Sequence, residues 1–299
     1  MKNINTFIVA GIIIAMVITS LLTRTLVQPL YLERYISGQF NSQRAYEYLS
    51  VQVKMGPRTP GSTAHREIVN WIESRLNLAG WSTTFQKGGA KEFEFVNIIG
   101  KSSSSPPQII IAAHYDTRTF ADKDQNPELR INPVPGANDG ASGVAILLEL
   151  ANIIPKSTNI WLVFIDAEDN GGISGWDWVT GSRYFVSNLT YKPSAVIILD
   201  MVGDRDLNLF IERNSDLTLT NEIWSIAGSI GYGEYFIDRP KYSLIDDHIP
   251  FIENGIPAID IIDFDYPFWH TTEDTLDKVS SKSLSIVGNT LLEWIKKQN

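Results

Sequence analysis

Cysteine is absent from the 299 residues, which removes disulfide scaffolds, thiolate metal sites and cysteine nucleophiles together. Any metal must therefore be held by imidazole and carboxylate. Histidine is scarce too: only His65, His114, His248 and His270 occur, so a two-histidine site would use half the supply. Basic residues are in deficit, 25 Lys and Arg against 34 Asp and Glu, for a formal net charge of −9. With no basic stripe to pair with phosphates, the sequence argues against nucleic acid as a partner. Internal repeats and low-complexity tracts are also missing. What remains is 43% hydrophobic, with 8 Trp, 11 Tyr and 13 Phe, the composition of a globular protein.

Charge is missing altogether from residues 3–23, where Phe7, Ile8, Val9, Ile12, Ile13, Ile14, Val17, Ile18, Leu21 and Leu22 crowd together. Such a run is long enough for one N-terminal transmembrane helix. Lys2 precedes it and Arg24 follows, as in a signal sequence, yet no small-x-small cleavage site lies between residues 19 and 26. Residues 1–24 are expected to be a membrane anchor or a signal segment. The following domain is then extracytoplasmic and membrane-anchored, or secreted if the leader is cleaved. Residues 25–39 read as a spacer and residues 40–299 as one catalytic domain.

Within that domain, apolar residues at helical spacing and a stop at Gly80 predict a helix over 64–79. A β-rich pair follows at 81–86 and 92–100, then short apolar runs at 108–113, 160–165, 195–199 and 256–262. Helical stretches at 141–154 and 282–297 intervene and close the chain. Alternation of this kind predicts an α/β fold, three layers with helices on both faces of a mixed but mostly parallel sheet.

Ligands gather beyond the carboxyl ends of parallel strands. Just past these runs stand His114 and Asp116, then Asp166, Glu168 and Asp169, then Asp200, then Asp263 and Asp265 leading to His270. A single Asp after a strand is ordinarily a turn or cap residue. Four acidic strand exits together call for a cation that offsets their desolvation. The small residues from Gly136 to Gly143 let backbone approach a ligand while Asp139 projects from the loop, or else Asp139 merely caps the next helix. Glu168 and Asp169, adjacent in extended chain, face different ways, so one can hold metal while the other moves protons. His65 reads as a surface residue of its helix, and His248 as a residue near the pocket through its acidic neighbours.

His114-Tyr115-Asp116, the Gly136 to Gly143 segment, Ala167-Glu168-Asp169, Leu199-Asp200-Met201 and His270 resemble the ordered signature of the M28 zinc aminopeptidase superfamily. Within it, the segments 56–62, 114–118, 181–184, 246–251 and 269–271 are similar to the glutaminyl-peptide cyclotransferases, or glutaminyl cyclases. That resemblance implies a zinc aminopeptidase-like fold and one Zn²⁺ held by Asp139, Asp169 and His270. It implies Glu168 as the proton carrier, Asp200 and Asp246 as its acidic network, and Trp269, Leu244, Tyr266 and His248 around the substrate. The reaction implied is closure of an N-terminal glutamine of a peptide or protein to pyroglutamate, with loss of ammonia. The aminopeptidase alternative uses the same residues with two zinc ions, His114 and Asp200 taking the second and Asp139 bridging, to hydrolyse N-terminal residues. Neither Trp176 nor Trp178 aligns with a pocket tryptophan.

Overall fold

In a computed structural model, residues 38–298 are described apart from 91, 92 and 174. The expected leader, residues 1–24, and most of the spacer lie outside the described residues. Among the described residues no helix is long and apolar enough to cross a membrane.

The domain opens with helix α1 (Ser42–Met55), capped by the Asn41 side chain accepting from Arg44 N. Sequence periodicity left this helix unread. It is tied down by Glu149, a fully buried acid that accepts from Arg44 Nε at 2.6 Å, Arg44 Nη2 at 2.7 Å and Asn41 N at 3.0 Å. Helix α2 (Thr63–Leu78) starts at Ser62, whose hydroxyl accepts from His65 N, and buries Ile68, Ile72 and Leu76 at the expected spacing.

The expected β-rich pair becomes strands β1 (Ser82–Ala90) and β2 (Phe93–Lys101), which the structure pairs antiparallel. The apolar runs become β3 (Ile109–His114), β4 (Ile160–Ile165) and β5 (Ala195–Asp200). Helix α3 (Ala141–Ile153) lies between the first two of these, and α4 (Thr180–Ser187) precedes the third. A two-stranded parallel sheet, β6 (Leu209–Ile211) with β7 (Phe236–Pro240), brackets α5 (Leu217–Ser229). The short α6 (Ile249–Glu253) leads into β8 (Ala258–Ile262), and α7 (Ser281–Lys297) ends the chain. The main sheet runs β1-β2-β4-β3-β5-β8, antiparallel at the hairpin side and parallel from β4 onward. The predicted mixed, mostly parallel sheet is therefore present.

Strand periodicity assigns the two faces. Ile110, Ala112, Val163, Ile165, Val196 and Ile198 pack with Phe185 and Val186 of α4 and Phe251 of α6. On the opposite face lies α3, buried from Ala141 to Ala151 because it is sandwiched between the sheet and the outer helices α1 and α7. Gly143 sets its distance: a Cβ there would fall 2.4 Å from Leu199 O and 2.7 Å from Ala113 Cβ. Register aligns the strand exits, since His114 pairs with Ile165 and Asp200 with Ile262. His114, Asp166, Asp200 and Asp263 thus leave the sheet at one edge.

Candidate active site

Three loops bring the acidic groups together, and buried charges hold each loop by its backbone. Arg58 is fully buried and donates to Tyr115 O at 2.9 Å, Pro135 O at 3.1 Å and Gly136 O at 2.6 Å, which fixes the approach to Asp139. Asp116 accepts from Glu168 N at 3.1 Å and Asp169 N at 3.3 Å, so it shapes the loop that carries them. Asp166 accepts from Val96 N, Ala167 N, Tyr115 Oη and His65 Nε2 at 2.7–2.8 Å. Both exits read from sequence as possible ligands are scaffolding. His65 is corrected as well: its hydrogen bond with Asp166 lies in the interior, and only 5% of its surface is exposed. Asp263 serves Asn208 N and Asp265 N, while Asp265 pairs with Lys241 at the surface.

The backbone is strained where these loops turn. Ala167, Met201 and His270 adopt φ of 56°, 45° and 57°, a region that costs a non-glycine residue about 1–3 kcal/mol. Each lies at or next to a side chain of the site.

Two overlapping trios result. His270 Nε2 is 2.8 Å from Asp169 Oδ1 and 3.7 Å from Asp139 Oδ2. His114 Nε2 is 3.1 Å from Asp139 Oδ1 and 3.1 Å from Asp200 Oδ1. In each trio the ligand atoms lie within 4.8 Å of one another, all on buried residues, and Asp139 is common to both. Asp139 Oδ2 and Asp169 Oδ2 are buried without a hydrogen-bond partner among the described residues. Unpaired buried carboxylate oxygens beside imidazole nitrogens fit a divalent ion, and the donor set suits zinc.

The two imidazoles differ electrically. Burial pushes His270 down to about 3, keeping its ring neutral. Burial also acts to lower His114, but the facing carboxylates of Asp116, Asp139 and Asp200 outweigh it and hold His114 well above the ordinary histidine range. For Asp139, burial is overcome by His114, which keeps the carboxylate ionised. Glu168 is pushed well above the usual carboxylate range by burial and by Asp246, Asp247 and Asp169, against the pull of His114. Asp246 rises to about 7 through burial and Asp200.

A cavity of about 240 Å³ opens onto these groups. Asp139, Glu168, Asp169, Asp200, Asp246 and His270 line its polar end, and Trp269, Leu244, Phe264 and Ile262 its apolar wall. Two residues expected at the substrate lie elsewhere. Tyr266 faces a neighbouring cavity beyond Trp269 and donates to Asp274, because its hydroxyl secures the Asp139 turn. His248 is fully buried and bonded to Glu212, behind Asp246. The residue missed is Trp178, which lines the cavity, stacks on His270 with an interplanar angle of 6° and carries Arg118 over its ring. Its loop is short and irregular, and no periodicity marks it.

Fold and site together define an α/β enzyme with a histidine and carboxylate centre at the strand ends. Residues 96–295 match peptidase family M28, and the chain belongs to that family. It is 32% identical to the solved Porphyromonas gingivalis glutaminyl cyclase, TM-score 0.82, over 87% of this chain and 99% of that one. It is also 32% identical to a Zn-dependent exopeptidase from Parabacteroides distasonis, TM-score 0.80, over 86% and 98% of the two chains. The glutaminyl-peptide cyclotransferase of Bothrops jararaca is 28% identical over 84% of this chain and 80% of its own length.

Proposed function

We propose that the protein is a zinc-dependent glutaminyl-peptide cyclotransferase that converts an N-terminal glutamine to pyroglutamate and releases ammonia. The observation that carries this reading is the inequality of the two trios. In the His270 trio Asp139 Oδ2 and Asp169 Oδ2 have no hydrogen-bond partner among the described residues, whereas in the other trio His114 Nε2 already engages Asp139 Oδ1 and Asp200 Oδ1, each at 3.1 Å. One metal position rather than two is the pattern of cyclization without hydrolytic water. The likeness to solved glutaminyl cyclases supports it.

Asp139, Asp169 and His270 would hold the ion. A zinc ion bound there supplies Lewis acidity toward the side-chain carbonyl oxygen of the substrate. Glu168, with its raised proton affinity, takes a proton from the α-amine as that nitrogen attacks the carboxamide carbon. A C–N bond forms in the ring, the bond to the amide nitrogen breaks, and Glu168 returns the proton to the departing ammonia. Asp200 and Asp246, lining the same end of the cavity, accept hydrogen bonds from the α-amine and orient it. Trp178, Trp269 and Leu244 enclose the aliphatic part of the side chain and exclude water. Peptide and protein N-termini met outside the cytoplasm are the substrates, with residues 1–24 as anchor or leader.

The aminopeptidase reading is kept by one observation: His114, Asp139 and Asp200 form a second complete trio. Incubating the protein with a Gln-initiated peptide and recording its mass separates the two. A product lighter by ammonia supports cyclization. A peptide shortened by its first residue overturns it in favour of hydrolysis.

A further inference from the structure

Beyond Trp269 lies a cavity that the reaction leaves unused. At about 440 Å³ it is larger than the catalytic cavity of about 240 Å³, and Trp269 is the one residue that lines both. Leu129, Tyr266, Pro267 and Phe268 supply the rest of its apolar wall, while Lys123 and Glu273 stand beside it as exposed charges of opposite sign. Its volume falls in the range of sites that enclose a ligand, about 300–1,000 Å³.

The two walls are braced against each other. Asp124, only 5% exposed, accepts from Thr272 N at 3.0 Å and Thr272 Oγ1 at 2.6 Å, and its other oxygen accepts from Asn126 N at 3.0 Å. Arg130 Nε donates to Asp124 O at 2.8 Å, and Lys123 N to His270 O at 3.2 Å. The 123–130 loop is thereby stitched to the segment that carries Trp269 and His270, which keeps the space between them open. Asp124, with both oxygens engaged inside the protein, presents no free charge to that space. Lys123 and Glu273 oppose each other in sign and favour neither an anion nor a cation. What remains to select an occupant is the aromatic and aliphatic wall, in which Tyr266 and Phe268 meet edge to face with ring centroids 5.5 Å apart.

The substrate itself supplies an occupant. A catalytic cavity of about 240 Å³ has room for a single glutamine along Trp178, Trp269 and Leu244, so the residue joined to its carbonyl must pass over the lip. Trp269 is partly exposed and forms a sill between the two cavities. Consecutive Cα atoms are about 3.8 Å apart, so one or two residues carry a chain across an indole. We propose that the second cavity is a subsite for a large apolar side chain on one of the two residues that follow the N-terminal glutamine. The inference rests on the proposed binding of that glutamine against Trp269. Contact with Leu129, Phe268 and the far side of Trp269 removes the side chain from water, and a reaction open to any N-terminal glutamine gains a preference for particular sequences. Ile245, 63% exposed on the lip of the catalytic cavity, offers the competing route.

The test compares Gln-Gly-Gly-Gly with Gln-Phe-Gly-Gly and Gln-Gly-Phe-Gly as substrates of the full chain. At least one phenylalanine peptide should have kcat/KM about 10-fold above that of the glycine peptide, the scale of effect from burying part of a phenyl ring. Leu129→Trp, which fills the cavity from an exposed loop, and Phe268→Ala, which opens its wall, should each abolish that advantage while Gln-Gly-Gly-Gly is still turned over. Equal rates for the three peptides overturn the proposal, and so does an advantage that survives both variants. Loss of the advantage in Ile245→Ser alone overturns it in favour of the other lip. Product mass is scored separately: loss of ammonia or release of the first residue judges the chemistry at the outer trio of Asp139, Asp169 and His270, and the rate ratio judges the cavity under either. Crystals of Glu168→Gln soaked with each phenylalanine peptide read the site without turnover. A phenyl ring between Leu129 and Phe268 is expected with one of them, and no ring in that cavity with either overturns the subsite.

Discussion

Asp274 grips Asp139 by its backbone rather than its side chain: the buried Asp274 carboxylate accepts from Asp139 N at 3.2 Å and, through its other oxygen, from Asn138 N at 2.8 Å. Tyr266 Oη adds a third donor at 2.7 Å. Asp139 is thus presented with both oxygens free for His114 and for the His270 trio. The arrangement costs charge, since burial and Asp139 push Asp274 up to about 7.

Replacing Asp274 by Asn puts an amide NH₂ against a backbone N–H and loosens the turn. Zinc affinity at the outer trio is expected to fall by about 10–100-fold, the usual consequence of losing a group that orients a ligand. Competition with a chromogenic chelator measures it. Tyr266→Phe, which removes only one of three donors, should have the smaller effect, and the reverse order would exclude this role for Asp274.

Glu168→Gln preserves size and every metal-binding residue while removing the proton carrier. Turnover of a Gln-initiated peptide should drop by about 10²–10⁴-fold, with zinc content unchanged by elemental analysis. A variant that retains near-wild-type turnover would show that the proton moves through another group.

The strand exits were legible because β3, β4, β5 and β8 are apolar runs ended abruptly by a charged or imidazole side chain, and parallel register then brings those ends level. What each acid does at its exit was not legible. Asp116 and Asp166 occupy positions like those of Asp169 and Asp200, yet they accept backbone N–H groups, and only tertiary geometry tells a ligand from a brace. His65 looked exposed because its helix is amphipathic, but its partner Asp166 is 101 residues away. Helix α1 was missed because its buried face is anchored by an ion pair, Arg44 with Glu149, rather than by a continuous apolar stripe.

The His65 and Asp166 pair makes a prediction about pH. Burial works against the charged ring, but the hydrogen bond and charge of Asp166 prevail, so His65 is raised above the ordinary histidine value. A histidine raised on folding stabilises fully below about pH 6.5, its unfolded value, and that stabilisation disappears as pH climbs through the folded value. The difference in melting temperature between wild type and His65→Gln should be largest near about pH 6 and shrink toward about pH 9. Parallel melting curves across that span would show that the imidazolium contributes nothing.

Trp178 is held by steric exclusion as well as by stacking. A Cβ at Gly171 would sit 2.0 Å from Trp178 Cδ2, so the indole occupies the space a side chain at 171 would need. On its faces lie His270, with ring centroids 6.3 Å apart, and the Arg118 guanidinium at 5.1 Å. Gly171→Ala must push the indole out of this slot, and Trp178→Ala removes it. Both should therefore act in the same direction on peptide turnover. Losing one apolar wall forfeits about 1.5–3 kcal/mol of side-chain burial, which raises KM by about 10–100-fold. Because neither substitution replaces Glu168 or a member of the outer trio, kcat should change far less than KM and zinc should remain bound. If kcat falls as steeply as kcat/KM, Trp178 acts on the reacting atoms through His270 rather than by enclosing the substrate.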